Sequence, residues 1–296
     1  MNDLVLETDL PLPLFARGKV RDIYEVDNYL LIVATDRISA FDVVLPDGIP
    51  GKGRILNQLS GFWFNMTNKI INNHLIATLD NPDDSRKYLP ESARAEYLLG
   101  RSMITRKAEK IPIEFVVRGY LAGSAWSEYQ KTGSIFGYSV PRGLKNSERL
   151  PRPVLTPTTK AEFGHDQTLK ISDVEEMLGH KLASHIEEKS LELYQLAHEF
   201  CLGRGFIIAD TKFEFGIIDG KCILIDELFT PDSSRFWDSS SYRVGHYQDS
   251  FDKQPVRDWL EKSGWNKEPP APPLPPDVIR ELARRYEAVH QKLTKT

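Results

Sequence analysis

Cysteine is scarce in this 296-residue chain: Cys201 and Cys222 stand alone, with no Cys-x-x-Cys and no paired histidine spacing. That excludes a disulfide framework and a structural zinc site as organising devices. Long apolar runs are missing too, and none approaches the roughly 18 residues of a membrane span. The start, MNDLVLETDLPLP, carries acids where a signal peptide needs a basic head and an apolar stretch. A cytoplasmic location is therefore expected. Neither sign of charge dominates: 38 Lys+Arg against 42 Asp+Glu give a net charge of −4. This provides no general attraction to nucleic acid or to an anionic membrane, although a local basic patch stays open. No nucleic-acid or membrane partner is expected. G-x-G-x-x-G, the P-loop pattern, internal repeats and Ser-His-Asp or Cys-His arrangements are all missing.

What remains is ordinary globular material, 41% hydrophobic and 27% charged. A chain this long buries roughly 75% of its unfolded surface and needs no staple. Val20–Val26 and Tyr29–Ala34 read as a hairpin turning at Asp27-Asn28. Leu56–Ile71 has apolar residues at helical spacing. Met103–Lys107 and Glu114–Val117 are strand candidates, and Ser124–Lys131 a short helix. Residues 141–157, with four prolines, read as a long surface loop. Ser172 with Glu175 resembles a capping box before a short helix. Leu182 to Cys201 marks a longer helix that stops before Gly203 and Gly205. Phe206–Ile218 and Cys222–Leu228 form a strand pair through Asp219-Gly220. EPPAPPLPP (268–276) must be an extended spacer, and Val278 to Leu293 forms a terminal amphipathic helix. Strands early and helices later suggest an α+β fold rather than a doubly wound sheet.

The most informative stretch is IIADTKFEFG (207–216). On a strand, Asp210, Lys212 and Glu214 share one face, and Thr211, Phe213 and Phe215 the other. A solvated outer face would explain this pattern. Yet the flanking apolar residues imply a central strand, where such charges are costly unless they bind something. Mg²⁺ held by one or two carboxylates plus ATP phosphates is the natural occupant. A two-residue Asp219-Gly220 turn would put Asp226 on the face opposite Glu214. A three-residue bulged loop would put both acids on one face, and is preferred here because it gives them a common purpose.

IPIEFVVRGYLAGS (111–124) places Arg118 after an apolar strand and Ser124 near a helix start. Together these can form a phosphate site, or an ordinary strand-turn-helix with a capping serine. FTPDSSRFWD (229–238) brings Asp232 and Arg235 into one short loop, which a plain turn would also explain. RGKVRDIY (17–24) could fold over nucleotide phosphates or be a basic turn. ATDRISAFD (34–42) and GIPGKGR (48–54) could also bind anions, though surface loops often look like this. His165 and Asp166 lie in the polar loop TPTTKAEFGHDQT.

These stretches, in this order, resemble the SAICAR synthetase (phosphoribosylaminoimidazole-succinocarboxamide synthase) family of purine biosynthesis. IPIEFVVRGYLAGS matches its first signature and IIADTKFEFG its second. The resemblance runs from about Gly18 to Trp237, in a long form with the TPTTK loop and a proline-rich tail segment. It implies an ATP-dependent carbon–nitrogen ligase that joins L-aspartate to carboxyaminoimidazole ribonucleotide through an acyl phosphate. It also implies a β-rich N-terminal lobe (1–110) and a larger α+β, ATP-grasp-like or kinase-like lobe (111–296) with C-terminal helices.

Carried over by position, Gly18, Lys19, Val20 and Arg21 would cover the ATP phosphates, and Arg106, Lys107 and Ala108 would border the adenine. Glu214 and Asp226 would hold Mg²⁺–ATP. Arg118, Ser124 and Arg235 would grip the ribonucleotide phosphate and carboxylate. Asp210, Lys212 and Asp232 would position the reacting groups, with Asp210 and Lys212 as the catalytic pair. Ser39 and Lys160 are further substrate-contact candidates. A monomer or small homo-oligomer is expected. The rivals are a small-molecule kinase and a nucleotide-binding module without turnover. Aspartate-dependent ADP release separates the three.

Overall fold

The computed structural model describes residues 4–159 and 167–295, so Lys160, His165 and Asp166 lie outside the described residues. The chain opens with β1 (Leu14–Arg17), β2 (Arg21–Val26) and β3 (Tyr29–Ala34). β2 and β3 pair with Val26 opposite Tyr29, so Asp27-Asn28 is the turn. A small hairpin of β4 (Arg37–Ala40) and β5 (Val43–Gly48) follows, then helix α1 (Lys52–Thr67). Next come β6 (Leu75–Thr78), α2 (Pro82–Tyr88) and β7 (Ser102–Arg106). The first sheet has the order β1-β2-β3-β7-β6.

The second sheet begins with β8 (Glu109–Tyr120). Helix α3 (Gly123–Thr132), the two-residue strands β9 (Ser134–Ile135) and β10 (Tyr138–Ser139), and β11 (Arg149–Thr159) follow. After α4 (Ile171–Leu178) and α5 (His180–Leu202) come β12 (Phe206–Ile218), β13 (Lys221–Ile225) and β14 (Ser234–Asp238). The order is β11-β8-β12-β13, with β14 also paired to β12. Helices α6 (Gln254–Lys262) and α7 (Pro276–Thr294) close the chain. The architecture is α+β. Among the described residues no helix is long and apolar enough to cross a membrane.

Lys107 and Ala108 join the two sheets, close to where the lobe boundary is expected. The largest apolar core nevertheless crosses it: Ile38, Leu56 and Trp63 belong to the same cluster as Phe213, Phe229 and Tyr286. Trp63 stacks at an angle on Phe229, with centroids 5.0 Å apart.

Several local expectations need correction. Residues 149–159 form strand β11, not loop. Apart from one isolated bridge, Thr158 with Thr168, it pairs only with β8, and at such an edge proline's missing N–H is tolerated. Pro151 and Pro153 fall in its register break between Arg149 and Val154. α1 starts four residues before Leu56, and Gly53 in GIPGKGR packs tightly. A Cβ on Gly53 would lie 2.2 Å from the Ala34 carbonyl oxygen. The Gly53 N–H instead donates to the Asp36 carboxylate at 2.9 Å. At α4 the reciprocal bond comes from Asp173, which accepts from the Lys170 N–H at 2.8 Å, rather than from Ser172 and Glu175. At α3 the capping position is Ala122, not Ser124.

Candidate active site

β12 is central: β8 flanks it on one side, β13 and β14 on the other. Its alternation separates chemistry from core. Phe213 and Phe215 are fully buried in the apolar layer. On the other face Asp210 pairs across with Arg118, and Glu214 with Glu114. Thr156 of β11 stands opposite Val116 and extends this polar row by one strand.

A cleft of ≈ 180 Å³ opens on that face, bounded by Arg118, Ser124, Asp210, Lys212, Arg235 and Arg257, with Asp232 and Asp252 also in its wall. The Arg118 guanidinium donates to Thr156 Oγ1 at 2.8 Å and lies 3.5 Å from Asp210 Oδ2. Burial lowers its pKa to about 10, despite the attraction of Asp210. Arg235 donates to the same Asp210 oxygen. It packs over Gly123, where a Cβ would meet its Nη2 at 2.4 Å. Ser124, in the first turn of α3, is exposed to this cleft.

Lys212 connects this cleft to a group of acids. Its ammonium lies 2.9 Å from Glu114 and 2.8 Å from Glu214. Burial opposes its charge, but Glu214, Asp226 and Glu114 outweigh that and hold it well above the ordinary lysine range. Glu214 also meets Lys110 at 2.6 Å.

Asp226 reaches this region by a route unlike the expected one. Ile218 pairs with Lys221, so Asp219-Gly220 is a two-residue turn and the preferred bulged loop does not form. Asp226 instead leaves the ladder with φ 74°, a left-handed conformation uncommon outside glycine and Asn/Asp. Arg21 engages both Asp226 oxygens, at 2.5 and 3.1 Å, and Glu227 at 3.0 Å. Burial opposes the Arg21 charge, yet Asp226, Glu227 and Glu214 together raise its pKa. Both Arg21 and Lys212 therefore feel Glu214 and Asp226.

The remaining candidates are distributed unevenly. Lys19 pairs with Asp42 at the surface. Gly18 donates to the Arg21 carbonyl, closing the turn between β1 and β2. Val20 and Arg21 share a narrow slot with Ile32, Met103, Asp226 and Glu227. Arg106 donates to the Asn73 carbonyl, Lys107 pairs with Glu25, and Ala108 packs beside Gly216. Ser39 sits in the β4–β5 hairpin opposite Val44, outside the cleft wall. The Asp232 carboxylate, 2% exposed, faces inward to Lys52 at 2.8 Å and Lys253 at 3.0 Å. Tyr286 donates to it at 2.6 Å. Burial opposes its ionisation, but the two lysines hold it well below the carboxylate range.

Sequence reasoning missed Lys52, Lys253, Arg257 and Tyr286. A larger open groove, ≈ 820 Å³, lies around Ile70, Leu182 and Cys222, but it holds none of these paired charges.

The chain is similar to known proteins over nearly its whole length. The profile of the SAICAR synthetase family matches residues 14–272. The chain is 53% identical to the phosphoribosylaminoimidazole-succinocarboxamide synthase of Thermodesulfovibrio yellowstonii, covering 99% of this chain and 100% of that one. It is 50% identical to the synthase of that name from Geotalea uraniireducens, over 99% of each. A solved SAICAR synthase from Saccharomyces cerevisiae, complexed with SAICAR, superposes with a TM-score of 0.89 at 42% identity. That match covers 99% of this chain and 98% of the other.

Proposed function

The chain belongs to the SAICAR synthetase family and ligates L-aspartate to carboxyaminoimidazole ribonucleotide with consumption of ATP; we propose that ATP first converts the substrate carboxylate into an acyl phosphate across the Lys212 face. The carrying observation is that Lys212 borders the arginine-lined cleft and also pairs with Glu214 of the acid group. Donor and acceptor of the phosphoryl group can therefore meet at one ammonium.

The chemistry needs this. A carboxylate is a poor acyl donor, because its leaving group would be oxide. Phosphorylation supplies a leaving group, and the aspartate amine then displaces phosphate. Such transfer depends on positioning and charge neutralisation more than on a protein nucleophile. Arg118, Ser124 and Arg235 hold the ribonucleotide anions in this reading. Lys212 neutralises charge during transfer and Asp210 orients the two arginines. Asp232 acts through its inward ion pairs, fixing the loop that presents Arg235.

ATP lies between the two lobes, 1–110 and 111–296. Its phosphates sit under the Gly18–Arg21 turn and its base beside Arg106–Ala108. Glu214 and Asp226 are the residues that would hold Mg²⁺ in this reading, since both offer hard oxygen donors. Bound there, Mg²⁺ would neutralise phosphate charge. Ser39 and Lys160 stay candidates for aspartate and substrate contacts. A monomer or small homo-oligomer in the cytoplasm completes this reading.

An ADP-release assay with each substrate omitted in turn tests this. Sustained release should require both aspartate and ribonucleotide. Release without aspartate would indicate a kinase, and no release under any condition a binding module.

A further inference from the structure

Helix α6 enters the cleft wall from the C-terminal part of the chain. Its Arg257 shares that wall with Arg118, Ser124 and Arg235. The Arg257 side chain is 33% exposed, and its guanidinium is 3.5 Å from Asp252 Oδ2. The same Asp252 oxygen is 4.0 Å from Arg235 Nε. Arg257 is thus tied, through one carboxylate, to the arginine that packs over Gly123 at the start of α3.

Charge around these arginines decides what the cleft can hold. Arg118 and Arg235 converge on one oxygen of Asp210. With Asp252 nearby, those two arginines are balanced by two carboxylates. With Arg257 the five groups are three guanidiniums and two carboxylates, one positive charge in excess. A phosphate monoester carries about −1.5 to −2 charges near neutral pH, and a balanced set would offer it no net attraction. The exposed Ser124 hydroxyl and the start of α3 add donors but no full charge. A planar guanidinium suits bidentate phosphate contact.

We infer that Arg257 is a substrate-binding residue that grips the 5′-phosphate of the ribonucleotide, and that Asp252 is the positioning residue orienting it beside Arg235. This rests on the site reading given above. It assigns α6 to the active site and sets a preference for phosphorylated over dephosphorylated substrate.

Calorimetric titration of the full chain with the ribonucleotide, and with the matching nucleoside lacking the 5′-phosphate, tests it. Arg257→Ala should cut the nucleotide-over-nucleoside preference at least tenfold, leave nucleoside and ATP affinity unchanged, and be partly rescued by Arg257→Lys. Retained ATP affinity reports an intact fold. Arg257→Gln, which keeps the stem, replaces the alanine variant if that fails to fold. An unchanged preference would overturn the inference, as would a loss confined to the KM for aspartate. Arg118→Ala serves as the reference. If it loses ribonucleotide affinity while Arg257→Ala does not, only the Arg257 assignment falls. If neither variant changes that affinity, the whole site reading falls with it.

Discussion

At Glu214 a single side chain carries two demands. It is 2% exposed, yet it faces Lys110 and Lys212 rather than the phenylalanine layer. Glu214→Gln should therefore spare the core. Lys212 keeps Glu114 as a partner, and Lys110 is well exposed. ATP-dependent turnover should fall at least tenfold while the melting temperature moves by only a few degrees. Activity and KM for Mg–ATP, measured beside thermal unfolding, check this. Arg118→Ala should act on the other substrate, weakening ribonucleotide use far more than ATP binding. Removing one partner of a buried charged contact costs roughly 2–5 kcal/mol, and the ratio of the two KM changes reads it. His74 concerns stability instead. Burial lowers its pKa to about 4, whereas an unfolded histidine titrates near 6.5. The unfolded chain then binds the extra proton as pH falls, so stability present above about 6.5 is lost toward 4, by up to about 3 kcal/mol. Urea midpoints at pH 7 and pH 5 should differ less in His74→Leu than in the wild type; equal differences would refute this.

At the scale of elements, the buried Asp232 centre ties four pieces together: the starts of α1 and α6, the loop between β13 and β14, and α7 through Tyr286. Asp232→Asn leaves two buried ammoniums without their counter-charge. Breaking a buried pair this way costs about 3–5 kcal/mol. A large drop in melting temperature, with loss of activity at temperatures where the wild type is folded, is expected. A stable but inactive variant would instead favour direct substrate contact by Asp232. Elements whose signal is local were legible in the sequence. The 207–216 strand showed itself by strict alternation, and α5 and α7 by helical spacing. β11 was hidden because prolines erase a strand signal, and only its edge position on β8 makes them tolerable. The bulged loop expected between β12 and β13 does not form; Asp226 instead has a left-handed backbone, and no residue pattern announces that. Arg257 was invisible as one cation on an amphipathic helix, because its neighbours in the cleft are scattered along the chain from Arg118 to Asp252.

Across the whole molecule, the two sheets meet through Arg21 of the first and Asp226 and Glu227 of the second. This contact crosses the proposed ATP site, so the first sheet helps hold the acids that serve the nucleotide. In the proposed reaction these acids and the arginine-lined cleft meet at Lys212, so that a phosphoryl group can pass to the substrate carboxylate. Transfer through an acyl phosphate moves one carboxylate oxygen into the released phosphate. Turnover of ribonucleotide labelled with ¹⁸O in its carboxylate, followed by mass analysis of the phosphate, tests this most directly. The account predicts one ¹⁸O per phosphate released. Unlabelled phosphate, with the ¹⁸O confined to the amide product and water, would contradict it.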